Sequence, residues 1–68
     1  MTEMDKEVIL TLAEKNMNLS ESARSMFTHR NTVVYHVSRV KKITGLNPMN
    51  FYDLCKLVQL VKEGSFNG

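Results

Sequence analysis

The chain holds one cysteine, one proline, three glycines and no tryptophan in 68 residues. A lone cysteine excludes an internal disulfide, and His29, His36 and Cys55 are too few and too poorly spaced for a structural zinc site. Stability must then come from helix packing alone, in a chain near the lower size limit for independent folding. So little cysteine fits a reducing compartment, and the expected location is cytoplasmic. The amino-terminal run Met1-Thr2-Glu3-Met4-Asp5 lacks the basic and apolar regions of a signal peptide. No apolar run approaches the roughly 18 residues that a membrane span requires. A Gly-rich phosphate loop and a nucleophile–base–acid set are also missing, so no catalysis, cofactor or metal is expected.

What is present is an uneven charge. The net value is only +2, but residues 1–27 carry five acids against three bases, and residues 47–68 balance. Between them, residues 28–46 contain Arg30, Arg39, Lys41 and Lys42 with no acid. Both histidines fall in this stretch as well. Such concentration of positive charge is the pattern of a nucleic-acid footprint, although basic residues near a helix C-terminus also favour the helix dipole.

Apolar spacing reads as four helices. The first opens near Thr2, with Asp5 as a capping-box partner and Val8, Ile9, Leu12 and Ala13 on one face. It ends at the polar break Asn16-Met17-Asn18. Ser20 reads as the cap of a short second helix whose inward residues are Ala23, Met26 and Phe27. After Thr28-His29-Arg30, Asn31 reads as the cap of a third helix over 31–44, with Val33, Val37, Val40 and Ile43 toward the core. Gly45 suits a left-handed C-cap, Leu46 its hydrophobic partner, and Pro48 the stop. A fourth helix begins at Asn50, with the core stripe Phe51, Leu54, Cys55, Val58 and Val61, and Gly64 ends it. Residues 1–64 form one domain and 65–68 a frayed tail.

A short helix, a tight turn and a second helix with a separate polar face make a helix-turn-helix pattern. Ala23 is small enough for the close crossing, and Val33 supplies the apolar lock ten positions on. At 100° per residue, Val33, Val37, Val40 and Thr44 point inward. Asn31, Tyr35, Ser38 and Lys42 point the other way, flanked by Val34, Lys41 and Arg39. An asparagine can pair with adenine and a valine can touch a thymine methyl. Helices of this kind read bases with their N-terminal turns, which selects Asn31, Thr32, Val34 and Tyr35 as base contacts. Ser20, His29, Arg30, Ser38, Arg39 and Lys42 are the expected backbone contacts.

The run Asn18-Leu19-Ser20-Glu21-Ser22-Ala23-Arg24-Ser25-Met26-Phe27-Thr28-His29-Arg30-Asn31-Thr32-Val33 resembles the C-terminal helix-turn-helix of the PucR/CdaR family, bacterial regulators of purine catabolism and sugar-diacid use. Arg39, Val40 and Thr44-Gly45-Leu46 continue the likeness, which spans about residues 5–62. The resemblance implies a transcription-factor domain at the end of a longer protein, with a sensing region before it. Val34, His36 and Ser38 stand where the family often has basic residues. The recognition helix therefore has up to three fewer cations, which bears on affinity and operator sequence rather than on the fold.

The expected fold is all-α, a four-helix helix-turn-helix domain of homeodomain-like or Fis-like arrangement. The expected partners are duplex DNA, a second copy of the chain on that DNA, and the missing sensing domain. Leu57 and Leu60, beside an already sufficient stripe, form the candidate dimer or domain interface. The competing reading is a small helical protein-interaction module that uses the apolar face of the last helix.

Overall fold

The computed structural model describes residues 1–64; the expected tail, 65–68, lies outside the described residues. Among the described residues there are four helices and no strand: α1 Glu3–Glu14, α2 Leu19–Ser25, α3 Arg30–Thr44 and α4 Phe51–Lys62.

Local chemistry fixes most of the ends. Thr2 caps α1 through a reciprocal pair: Asp5 N–H donates to Thr2 Oγ1 at 3.1 Å, and Thr2 N–H to Asp5 Oδ2 at 2.9 Å. The helix stops where Asn16 and Met17 turn left-handed (φ 54° and 63°) and Met17 N–H bonds back to the Leu12 carbonyl. Gly45 takes the left-handed C-cap of α3 (φ 76°), where glycine has no Cβ to clash. Next to it, the Thr44 hydroxyl donates to the Val40 carbonyl at 2.8 Å and accepts from Leu46 N–H at 3.1 Å. That pair of bonds is the local reason for the Thr44-Gly45-Leu46 element. Asn50 caps α4 by accepting from Asp53 N–H at 3.1 Å.

Val8, Ile9 and Leu12 of α1, Ala23 of α2, Val33 and Val40 of α3, and Leu54 and Leu57 of α4 form one buried core. The α1 helix packs against all three others; α2 packs on α3, and α4 approaches α1 alone. Apolar burial in this cluster is the main force holding Val33, Val37 and Val40 of α3 in a helix that valine's propensity disfavours.

Several expectations need correction. The cap of α2 is Asn18, not Ser20: Asn18 Oδ1 accepts from Glu21 N–H at 2.8 Å, and Ser20 sits exposed in the first turn. The cap position of α3 is His29, with no side-chain bond, so Asn31 lies inside the first turn rather than before it. Phe27 is 97% exposed instead of inward. Its φ of 55° turns the side chain out, while Phe27 N–H bonds the Arg24 carbonyl and Thr28 N–H the Ala23 carbonyl. Those two bonds are a Schellman termination of α2 with phenylalanine at the left-handed position. Ile43 is half exposed because it lies at the rim of the stripe centred on Val33 and Val40. Ala13 is exposed at the edge of a recess beside α4.

The stripe of α4 is rotated relative to its expected position. Leu54 and Leu57 are buried, Val58 and Val61 are half-buried, and Phe51 and Cys55 are exposed. Because α4 faces only α1, one narrow face suffices, and it is centred toward Leu57. Leu57 is thus a core residue, completely removed from solvent, and not part of an interface. Leu60 is half-buried beside it.

Candidate nucleic-acid interface

The α3 helix is held against α1 and α2 by Val33 and Val40, and this sets which residues face outward. Asn31, Tyr35, Ser38 and Lys42 are exposed along one strip, as the 100° spacing predicts. Tyr35 is 61% exposed. Thr32 and Val34 flank the strip and are half-buried. His29 and Arg30 are exposed at the amino-terminal mouth of the helix, and Ser20 is exposed near the start of α2. On the outer side of α3, Tyr35, Ser38, Arg39 and Lys42 line a shallow recess. The expected base-contacting and backbone-contacting residues therefore share α3 and its approach, with Ser20 on the neighbouring helix.

The cations differ in their freedom. Among the described residues Arg30, Lys41 and Lys42 are exposed and have no ion-pair partner. Arg24, in contrast, pairs with Glu21 at 2.7 Å on α2. Arg39 is tied down: its Nε donates to Asp5 Oδ2 at 3.1 Å. His36 Nδ1 lies 2.7 Å from Asp5 Oδ1, with its ring edge-on to Tyr35 at a centroid separation of 5.1 Å. His36 is consequently part of an internal polar cluster and not of the solvated face.

Asp5 is the residue that reading along the sequence misses. It caps α1 locally, and that role is visible in the sequence. Its second role, gripping two side chains of α3, spans 31 and 34 residues and leaves no local sign. The carboxyl group is fully buried. Burial alone pushes its pKa up, but hydrogen bonds from His36, the Thr2 backbone, Arg39 and the Thr2 hydroxyl outweigh this and lower it from 3.8 to about 2. At neutral pH Asp5 is a buried anion compensated by its partners, which also locks α1 to α3. The excess positive charge of residues 28–46 is to that extent offset in space by an acid from α1.

No group of three or more histidine, cysteine or acidic residues suited to a metal ion occurs among the described residues. No helix there is long and apolar enough to cross a membrane.

A short helix, a left-handed turn and a longer helix with a polar outer strip, buttressed by α1 with α4 packed on it, define a helix-turn-helix domain. Comparison with family models matches residues 6–60 to the PucR C-terminal helix-turn-helix domain, and the chain belongs to that family. Comparisons with curated proteins and with solved structures gave no match. Family membership points to a DNA-binding regulatory domain, a class without catalytic activity as a rule.

Proposed function

We propose that this chain binds duplex DNA sequence-specifically, as the helix-turn-helix domain of a bacterial transcription regulator acting in the cytoplasm. The observation that carries the reading is the exposed strip Asn31, Tyr35, Ser38 and Lys42 on a helix whose opposite face is locked into the core. In this reading α3 enters the major groove amino-terminal end first. Asn31, Thr32, Val34 and Tyr35 meet base edges and thymine methyls, while Ser20, His29, Arg30, Ser38, Arg39 and Lys42 meet phosphates. The uncapped amino terminus of α3 adds a partial positive charge facing the same way. Two copies on half-sites about 10 base pairs apart, or a multiple of that, supply the affinity one small module lacks. A sensing region elsewhere in the full regulator supplies the signal.

The test is fluorescence anisotropy of a labelled duplex over a series of salt concentrations. The expected log–log slope is roughly −3 to −5 per copy, for three to five phosphates neutralised. Absence of binding at low salt, or a slope near zero, refutes the reading.

A further inference from the structure

We propose that Asp5 is a positioning residue for DNA binding: it grips Arg39 by Nε and so presents the outer edge of that guanidinium to a backbone phosphate in the recess formed with Tyr35, Ser38 and Lys42. This inference rests on the DNA-binding reading and deepens it. The guanidinium is a rigid planar fork whose Nε and terminal nitrogens donate in different directions. Asp5 takes the inner donor, at 3.1 Å. Among the described residues the terminal nitrogens have no hydrogen-bond acceptor, and the Arg39 side chain is 38% exposed. Arg39 lines the outer recess alongside Lys42 while anchored inward.

The anchor is itself rigid. Asp5 is fully buried, and its Oδ2 accepts from Thr2 N–H as well as from Arg39. Its other oxygen faces His36 Nδ1 at 2.7 Å. A carboxylate with that many fixed partners has little freedom to swing. Arg39 therefore meets a phosphate with much of its rotamer entropy already removed, a cost that a free surface lysine such as Lys42 bears at the moment of binding.

Two forces make opposite predictions here. Asp5 as a charge repels phosphate, so removing it should tighten binding. Asp5 as an anchor orders Arg39, so removing it should weaken binding. The variant that separates them is Asp5→Asn, which raises the net charge of +2 by one. The probe is a mixed-sequence duplex of about 20 base pairs, two helical turns, at low salt and at a temperature where circular dichroism shows both proteins folded.

The anchor predicts that Asp5→Asn lowers affinity about three- to tenfold, the cost of ordering one long side chain. The salt slope should change little, because Arg39 still neutralises its phosphate once it is ordered. In an Arg39→Ala background the same change should no longer weaken binding, because only the loss of a repelling charge is left. Equal or tighter binding by Asp5→Asn overturns the positioning role. A wild-type chain without salt-dependent binding overturns the DNA-binding reading instead, and this inference with it.

If Asp5→Asn does not fold, the wild-type chain decides by nitrogen-15 NMR of the Arg39 side chain. The Nε–H signal should be protected from exchange both free and with duplex, and the terminal N–H signals should slow only when duplex is added. Loss of Nε–H protection on binding, or terminal signals indifferent to duplex, overturns the proposal.

Discussion

Acid should unpick this fold at one identifiable carboxylate. Asp5 has a pKa lowered from 3.8 to about 2 in the folded chain, because its hydrogen bonds outweigh its burial. A depressed carboxyl pKa contributes stability above its unfolded pKa and loses it as pH falls through the folded one. The shift corresponds to about 2 to 3 kcal/mol, present in full above about pH 5 and mostly gone by about pH 2. For a domain whose total stability is on the order of 3 to 10 kcal/mol, this is a large share. Asparagine at this position mimics the protonated acid in size and charge, so Asp5→Asn should lose the same amount at neutral pH. The melting temperature should fall by about 10 to 20 °C. The assay is urea denaturation of both proteins at pH 7, 5, 4, 3 and 2, followed by circular dichroism. All other titrating groups are present in both chains, and His36 is the one in contact with Asp5, so the change in the difference between pH 5 and pH 2 is the part that isolates the carboxylate. That difference should be near its maximum at pH 5 to 7 and shrink steadily toward pH 2. A constant difference across the series, or none at pH 7, would refute the account of Asp5 as a compensated buried anion.

The helix caps give a paired test. Asn18→Ala and Asn50→Ala should each cost about 1 kcal/mol in thermal denaturation, whereas Ser20→Ala and Asn31→Ala, which cap nothing, should stay within about 0.5 kcal/mol. Phe27→Gly should raise stability by up to about 1 kcal/mol, since glycine relieves a left-handed backbone and no burial is lost. A drop in melting temperature would show that Phe27 makes a stabilising contact. Leu57→Ala should cost about 2 to 5 kcal/mol as a cavity in the core. Leu60→Ala, half-buried, should cost less than half of that; equal costs would place both in the core.

The helices and most of their ends could be read in the sequence because the signals involved are local. Thr2 with Asp5, Gly45 after Thr44, and Asn50 before Phe51 each lie within a turn of the backbone groups they satisfy. The inward and outward faces of α3 also followed from spacing, and with them the strip Asn31, Tyr35, Ser38 and Lys42. The choice between Asn18 and Ser20 did not, since both are good caps two residues apart and only the register of α2 against the core separates them. Phe27 defeats a local reading because its apolar side chain suggests burial, while the turn geometry that expels it is set by where α2 stops. The face of α4 was ambiguous for another reason. Phe51, Leu54, Cys55, Leu57, Leu60 and Val61 cover more of the circumference than one neighbour can bury, and only the docking against α1 selects Leu54 and Leu57. The grip of Asp5 on His36 and Arg39 joins residues more than thirty apart in sequence. It is a product of tertiary packing and invisible to any local pattern.

The packing of α4 against α1 alone has a dynamic consequence. A helix with one backbone neighbour can open without first separating the other three, so α4 should exchange its amide hydrogens through partial openings. The α1 amides, which every other helix covers, should exchange only when the whole domain unfolds. The outward strip belongs to the three-helix block, and α4 adds Leu54 and Leu57 to its core from the α1 side. A pull or a ligand acting on α4 reaches the α3 strip by way of α1, and the most direct polar link from α1 onward is the buried carboxylate of Asp5.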